Sequence, residues 1–237
     1  MKENKTETLS DSVIIAEEKS LRRPNEKHYL REDGSHVVSR YGMPVHYWDE
    51  EEKRYRTVDN RLVDHGEFYE NEKGAFKTRF SKTPANGDAL YKLEKNGRSI
   101  VWEYIPIRKK RHFKSGSVCK QEHRERLTNH ELPEVHTQGH IRYPDVSKNM
   151  DIEYTVAPMG VKENIVIKGK KLSYKVAFKL LVNGYDVEEK EDEIYFYACD
   201  TNGERISDVA EYKIPRMYMT DRAGKISYDV GYILDKQ

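Results

Sequence analysis

Short runs of alternating apolar and polar residues, separated by turn residues, occupy most of the chain after residue 26. Two dipeptides typical of β-hairpin turns, Asp33-Gly34 and Asn96-Gly97, each lie between runs rich in Val, Ile and Tyr. No segment shows a convincing apolar stripe at the helical spacing of 3.6 residues. The pattern therefore predicts that residues 27–105 form an antiparallel β domain.

A second alternating region occupies residues 139–237. Residues 150–156 alternate cleanly, and similar runs over 161–167, 172–180 and 194–198 are separated by turns that contain Gly or Asp. About seven strands at this spacing are typical of a β-sandwich. The predicted fold class is all-β, with two antiparallel β-sandwich-like units joined by a long polar connection.

Two polar segments flank the first β domain. Residues 1–26 are charged and aperiodic apart from the apolar run 13–16, which predicts a flexible, solvated N-terminal tail. Residues 106–138 are charged and rich in histidine, which predicts a linker between the two units. The basic run 108–111 is interpreted as a solvated part of this linker, with a contact to an anionic polymer as the alternative.

The composition argues against two classes of protein, namely a chain that attracts nucleic acid or an anionic membrane through its net charge, and a disordered chain. The 237 residues include 42 Lys+Arg and 41 Asp+Glu, a formal net charge of +1, so no global field would attract nucleic acid or an anionic membrane. Charged residues make up 35% of the chain, but the aromatic content of 11% is too high for a disordered chain. We therefore expect a thin, tyrosine-rich core beneath a charged surface.

Cysteine content and hydropathy exclude several structural features. Cys119 and Cys199 are too few for a disulfide scaffold or a four-thiolate zinc site, and we expect free thiols, with a single bridge as the alternative. No uninterrupted run of about 18 apolar residues is present, so no membrane-spanning helix is expected. The N-terminal region lacks the apolar stretch of a signal peptide, and the sequence itself leaves the localisation unknown.

The sequence lacks the common motifs of nucleophilic catalysis and of nucleotide binding. The sequence contains neither a Gly-x-Ser-x-Gly nucleophile elbow nor a Gly-x-x-x-x-Gly-Lys-Ser/Thr phosphate loop, and Cys119 has no definable histidine partner. Asp59, Asn60 and Asp145 are interpreted as turn formers, because such side chains bond their own backbone. We predict neither an enzyme nor a cofactor.

Histidines are the candidate metal ligands. His136 and His140 have the His-x3-His spacing that zinc sites use, with Glu131 and Glu134 nearby. The intervening Thr-Gln-Gly favours a turn rather than a helix, so we predict surface histidines and no metal. Whether any of them binds a metal stays open for the histidines of residues 112–140, which are His112, His123, His130, His136 and His140.

Aromatic residues are the remaining candidates for ligand binding. Tyr47, Trp48, Trp102 and Tyr104 belong to predicted strands and could stack on sugar rings. Alternation along a strand directs one ring of the adjacent pair Tyr47 and Trp48 inward. Core packing is the favoured interpretation for both tryptophans, and a sugar platform is the alternative.

The order of several phrases resembles a known family. These phrases are YLREDGSHVVSRYGMPVHYWDEEEKRYRTVDNRLV, YENEKGAFKTRFSK, GRSIVWEY, IRYPDVSKNMDIEYTVAPMGVKENIVIK and IPRMYMTDRAGKISYDVGYIL. They resemble the region upstream of the tyrosine-aspartate repeats in rearrangement-hotspot (RHS) and wall-associated polymorphic-toxin proteins of Gram-positive bacteria. The resemblance covers roughly residues 27–102 and 140–234, which is most of the chain, and concerns strands and turns rather than catalytic motifs.

The resemblance implies a β-rich, non-enzymatic leader that precedes a repeat cage in a secreted or cell-surface protein. The chain departs from this plan because it lacks an export signal and ends where the repeats should begin. An excised domain pair, a truncated copy and a gene fragment are the three interpretations that this leaves.

Two functions of different classes follow. The first is a structural or presentation module that contacts other domains of an RHS-type protein, or a surface partner, through sheet edges and residues 106–138. The alternative is a carbohydrate or cell-wall binding module that uses exposed Trp or Tyr. An unrecognised hydrolase is the weakest hypothesis, because its two converging carboxylates would have no signature in the sequence.

Overall fold

The computed structural model describes residues 12–84, 89–105, 115–119, 126–127, 130–131, 137–169 and 175–233. Strands make up 60% of the described residues, and no α-helix occurs within these ranges. The strands pair in an antiparallel manner in every sheet that they form. The predicted all-β fold class is therefore confirmed.

The N-terminal region forms a three-stranded sheet and a separate hairpin. The elements are β1 (Ile14–Glu17), a 3-10 helix (Lys19–Leu21), β2 (Glu26–Arg31), β3 (His36–Arg40), β4 (His46–Asp49) and β5 (Arg54–Thr57). The predicted hairpin at Asp33-Gly34 joins β2 to β3 and is confirmed.

The prediction of a flexible tail over residues 1–26 is wrong for residues 12–26. β1 pairs with β2, and the Glu17 carboxylate accepts two hydrogen bonds from the Arg22 guanidinium, at 2.8 and 2.9 Å. The short run 13–16 was too weak a signal, because the pairing partner that orders it lies more than ten residues further along the chain. Residues 1–11 lie outside the described ranges.

The largest sheet has six strands in the order β17-β10-β9-β8-β7-β6. Its elements are β6 (Asp59–Asp64), β7 (Phe68–Lys73), β8 (Lys77–Ser81), β9 (Ala89–Lys95), β10 (Arg98–Ile105) and, much later in the chain, β17 (Ala177–Asn183). The predicted Asn96-Gly97 turn joins β9 to β10, and both residues have positive φ, at 50° and 76°. These angles are those that a two-residue hairpin turn requires.

A four-stranded sheet packs against the inner face of the six-stranded one, in the order β11-β14-β15-β16. Its elements, with a short hairpin formed by β12 and β13, are β11 (Ser117–Cys119), β12 (Arg126–Leu127), β13 (His130–Glu131), β14 (Gly139–Ser147), β15 (Met150–Ala157) and β16 (Gly160–Ile167). Part of the predicted linker over 106–138 is therefore strand, because β11 pairs with β14.

The C-terminal region contributes a three-stranded sheet and an isolated hairpin. Its elements are β18 (Tyr185–Lys190), β19 (Glu193–Ala198), β20 (Tyr212–Ile214), β21 (Met219–Thr220) and β22 (Ile226–Ser227). Ile194 and Phe196 of β19 pack against Ile100 of β10, so this sheet also covers the six-stranded one.

The two predicted domains share one hydrophobic core. β17, which the sequence analysis assigned to the second domain, pairs with β10 of the first from Ser99 opposite Asn183 to Ile105 opposite Ala177. The core includes Phe80 and Tyr91 of the first predicted domain and Tyr154 of the second. The predicted boundary therefore does not separate two cores, because alternation identifies strands without identifying their partners.

The edge strand β6 contacts the beginning of β14. Asn60 is buried, donates a hydrogen bond from Nδ2 to the Thr137 carbonyl at 3.0 Å, and accepts one at Oδ1 from Asn71. Its predicted role as a turn former is wrong, because the partner of its side chain lies 77 residues away. Asp59 does act locally, since its Oδ1 accepts the Arg61 backbone N–H at 3.1 Å.

Candidate functional site

The first predicted aromatic pair lies on β4. Trp48 exposes 45% of its surface and meets Tyr55 of β5 edge-on, with ring centroids 5.2 Å apart. Tyr47 points to the other side of the hairpin and is half-buried, and burial raises the pKa of its hydroxyl. Of the four predicted site residues, Trp48 has the most accessible ring.

The second predicted pair lies on β10. Trp102 is half-buried and stacks on Tyr91, with centroids 4.7 Å apart and planes 15° from parallel. Tyr104 is buried and meets Phe178 edge-on. Because Trp102 and Tyr104 point to the same face, the structure places both against the core, at a different location from Trp48.

Most of the candidate metal-binding histidines of residues 112–140 lie outside the described ranges. His112, His123 and His136 lie outside them, and only the backbone of His130 is described. His140 hydrogen-bonds through Nε2 with Thr155 Oγ1 at 2.9 Å, across from it on β15. Within the described part of the chain, no group of three or more His, Cys, Asp or Glu side chains is arranged to hold a metal ion.

Cys199 follows β19 as a free, buried thiol. This position agrees with its interpretation as a core thiol at the end of a strand. The side chain of Cys119 lies outside the described part of the structure.

A continuous series of aromatic rings connects the two sheets of the core. It runs from Trp102 to Tyr91 and from Tyr91 to Tyr154, whose ring centroids are 4.8 Å apart. Phe80 contacts both tyrosines at 5.5 Å. The series ends at Glu163, because Tyr154 Oη donates a 2.6 Å hydrogen bond to Glu163 Oε2.

Glu163 is a half-buried carboxyl group on the core-facing side of the edge strand β16. Burial raises its pKa to about 7, and the hydrogen bond from Tyr154 offsets only part of this effect. The carboxyl group therefore changes its charge near neutral pH. Glu163 was not among the predicted site residues, although its position between Val161 and Ile165 in an alternating strand places all three on one face.

Asp151 is a fully buried carboxylate, and both of its oxygen atoms have hydrogen-bond or ion-pair partners. Its Oδ1 accepts the Asp145 backbone N–H at 2.8 Å and the Lys168 ammonium at 2.6 Å, and its Oδ2 accepts Arg142 Nε at 3.0 Å. Burial alone would raise the pKa of Asp151, but these donors hold the pKa below its ordinary value. Asp145 lies within β14 with a φ of 54°, and its Oδ1 accepts a 2.9 Å hydrogen bond from Lys168 Nζ, so its predicted role as a turn former is not confirmed.

His46 is a second buried titratable group, and it lies beneath the N-terminal strand. Its Nδ1 is 2.7 Å from the Arg23 carbonyl, and its Nε2 is 3.8 Å from Glu17 Oε1 without a hydrogen bond. Burial lowers the pKa of His46, and the nearby charge of Arg22 lowers it further, while the Arg23 carbonyl and Glu17 oppose this. His46 is therefore a neutral imidazole at neutral pH.

Three exposed apolar side chains lie close together in residues 216–229, which we call the C-terminal hairpin. Tyr218, Ile226 and Tyr228 lie on one face of it, and each exposes more than half of its surface. The ring centroids of Tyr218 and Tyr228 are 6.5 Å apart, and the Arg216 guanidinium lies 5.2 Å from the Tyr228 ring. An apolar face that is open to water is typical of a contact surface.

Comparison with known proteins gives no relative. No protein-family model, no curated protein and no solved structure matches the chain. In the part of the chain that the structure describes, no helix is long and apolar enough to cross a membrane.

Proposed function

We propose that this protein is a non-catalytic structural module that holds or presents larger protein parts through direct contacts. The observation that carries the proposal is the exposed face of the C-terminal hairpin. β21 and β22 have two residues each, and a two-stranded hairpin of this size is only marginally stable in water by itself. A partner that covers Tyr218, Ile226 and Tyr228 would stabilise it.

The partner that we propose is another β-rich segment of an RHS-type or wall-associated protein. Added strands would supply backbone hydrogen bonds to the hairpin and remove its apolar face from water. The resemblance of the sequence to leader regions of such proteins supports this choice, and it implies a secreted or cell-surface location.

The experiment is a titration with a separately purified repeat segment of an RHS-type protein, followed by sedimentation velocity. We expect a complex that Tyr218→Ser combined with Ile226→Ser weakens at least about tenfold, because such exposed apolar side chains act as anchors. The matched control is Leu181→Ser, which removes an exposed apolar side chain from the outer face of β17. Failure to form a complex, or equal binding by the hairpin variant, would contradict the proposal.

The alternative function is the binding of carbohydrate or cell-wall glycan. It is favoured by Trp48, whose ring is accessible beside the acidic residues Asp49 and Glu52 of the same hairpin. Aromatic faces of this kind stack on sugar rings, and neighbouring carboxylates accept hydrogen bonds from their hydroxyl groups. Co-sedimentation with insoluble peptidoglycan and a glycan array test this function, and Trp48→Ala should abolish the binding whereas Trp102→Ala should not.

A further inference from the structure

The two edges of the six-stranded sheet differ. At the β6 edge, Asn60 bonds the Thr137 carbonyl just before β14, so this edge is covered. At the opposite edge, β17 pairs with β10 on one side. No backbone hydrogen bond joins the other side of β17 to a residue of the ranges that the structure describes. β17 therefore ends the sheet as an open edge strand.

β17 lacks the features that usually protect an edge strand from pairing, which are proline, bulges and charges without a counter-charge. It contains no proline, and its residues pair with β10 without a register shift. Its single charged side chain, Lys179, forms an ion pair with Glu103 of β10 at 3.4 Å. Five of its seven residues are apolar, namely Ala177, Phe178, Leu180, Leu181 and Val182. Such an edge is suited to the addition of another strand.

The turn at Asn96-Gly97 determines which backbone groups of β10 face β17. A two-residue turn closes on a hydrogen-bonded pair, which here is Lys95 with Arg98. Since the direction of hydrogen bonding alternates along an antiparallel strand, Ser99 and every second residue after it bond β17. Ser99 lies opposite Asn183, so the odd-numbered residues of β17 bond β10.

The even-numbered residues of β17 form the open edge. These residues, Phe178, Leu180 and Val182, direct three N–H and three C=O groups outward. Their side chains lie on the inner face of the sheet and are half-buried, whereas Ile100 of the neighbouring β10 is buried. The edge thus combines outward-facing backbone groups with apolar side chains that water still reaches.

We propose that two copies of this chain associate through antiparallel pairing of β17 with β17, around a twofold axis at Leu180. This register places Leu180 opposite Leu180 of the second copy, and Phe178 opposite Val182. All six outward backbone groups of each copy then form hydrogen bonds, and the half-buried side chains cover one another. The contact is closed, because both copies use the same surface.

Charge and register favour a second copy as the occupant of this edge. A twofold axis at Lys179 would set two lysines directly opposite each other, which is destabilising. An axis at Leu181 would pair Phe178 with Gly184, outside β17. With the axis at Leu180, Lys179 lies opposite Leu181 of the second copy and keeps its ion pair with Glu103. The strand is therefore complementary to itself.

This contact is small and separate from the surfaces described above. β17 contributes seven residues from each copy, whereas a standard interface has about 20–30 residues a side, so we expect a dissociation constant on the order of 100 µM. Neither the C-terminal hairpin nor Trp48 takes part. At the low concentrations of a partner titration the chain stays monomeric, so the inference is independent of the proposed function.

Sedimentation equilibrium of the full chain, from about 10 µM to about 1 mM, tests the dimer, and two substitutions of Leu181 test the register. Leu181 exposes 42% of its surface, so both variants should fold. Leu181→Lys sets a lysine opposite Lys179 at two places in each dimer and should weaken it at least about tenfold. Leu181→Glu sets opposite charges at the same places and should dimerise at least about tenfold more tightly than Leu181→Lys.

Three outcomes would overturn the proposal. The first is a monomer at every concentration, as expected if another part of the chain or a different protein covers the edge. The second is equal dimerisation by the two Leu181 variants, which would show that Lys179 does not face this position. The third is association that continues beyond a dimer, because a twofold contact is closed.

Hydrogen exchange followed by NMR provides a measurement without substitutions. The N–H groups of Phe178, Leu180 and Val182 should exchange about fivefold more slowly at 1 mM than at 10 µM, because the dimer is populated only at the higher concentration. The N–H groups of Lys179 and Leu181 bond β10 and should be protected at both concentrations. Exchange at the even-numbered residues that does not depend on concentration would contradict the pairing.

Discussion

Tyr154 Oη donates a 2.6 Å hydrogen bond to Glu163 Oε2, and the two residues face each other across β15 and β16. The bond satisfies one carboxyl oxygen on the inner face of the sheet without neutralising its charge. Because the hydroxyl is itself fully buried, the pair cannot separate into water without disturbing the core. The protonation of Glu163 therefore affects the stability of the fold.

Glu163→Gln should stabilise the protein at pH 8 by about 2 kcal/mol and leave it nearly unchanged at pH 4.5. The folded-state pKa of about 7 lies above the ordinary 4.5, so the folded state binds more protons, and wild-type stability falls as pH rises from 4.5 to 7. Each pKa unit corresponds to about 1.4 kcal/mol, and we reduce the full value because the Glu163 side chain is only half-buried. Urea unfolding at both pH values measures the difference.

The control for this prediction is Glu189→Gln, an exposed glutamate on β18. It should change the stability by no more than about 0.5 kcal/mol at either pH. Parallel stability curves for wild type and Glu163→Gln between pH 4.5 and pH 8 would contradict the raised pKa.

Lowering the pH should reduce the stability of the protein because His46 is buried. Its folded-state pKa is below 6.5, so its contribution to stability is complete above pH 6.5 and is lost as pH falls below that value. His46→Asn retains an N–H donor for the Arg23 carbonyl but cannot be protonated. The variant should therefore lose less stability than wild type as pH falls from 7.5 to 5.

Thermal unfolding at several pH values measures this shift. His36→Asn is the matched control, because His36 also lies near a glutamate, Glu18, but its side chain is half exposed. If the His36 and His46 variants respond alike to pH, the burial of His46 has no thermodynamic effect.

The contact between β6 and β14 should tolerate no added methyl group. A Cβ at position 139 would lie 2.0 Å from the Asn60 carbonyl oxygen and 3.0 Å from Leu62 Cγ. Gly139→Ala should therefore destabilise the protein by about 3 kcal/mol, because backbone must move to relieve the overlap. Gly42→Ala, with nothing within 4 Å of its added Cβ, should remain within about 0.5 kcal/mol of wild type in the same urea experiment.

Removing the charge of Asp151 should cost about 3 kcal/mol. Asp151→Asn keeps the shape and an acceptor for the Asp145 N–H, but leaves Arg142 and Lys168 without their buried counter-charge. Asp186→Asn removes an exposed partner of Arg205 and should have an effect below about 1 kcal/mol. Chemical denaturation at pH 7 compares the two, and similar losses in both variants would show that burial of Asp151 is unimportant.

Local signals in the sequence were reliable where neighbouring residues decide the conformation. The hairpins at Asp33-Gly34 and Asn96-Gly97 were predicted from dipeptides whose backbone preferences select the turn. The clean alternation of residues 150–156 likewise corresponds to β15, whose alternate residues Ile152, Tyr154 and Val156 are buried. Such features depend on a few consecutive residues and on period-two geometry.

Features that depend on distant parts of the chain were not predicted. β17 completes the six-stranded sheet beside β10, although about 70 residues separate them and a polar segment lies between. Asn60 was expected to form a turn, but it bonds Thr137 instead. Neither pairing leaves a periodic signal, because the alternation of a strand is the same whichever strand lies beside it.

The sequence by itself determined that this protein is built from short antiparallel strands with charged outer faces, since alternation and turn residues act locally. Only the tertiary structure decided that its two halves share one core, that Trp48 is accessible while Trp102 stacks inside, and that Glu163 accepts a hydrogen bond from the buried Tyr154. The physical reason is that burial and pKa depend on which strands meet, and strand pairing is a property of the whole chain.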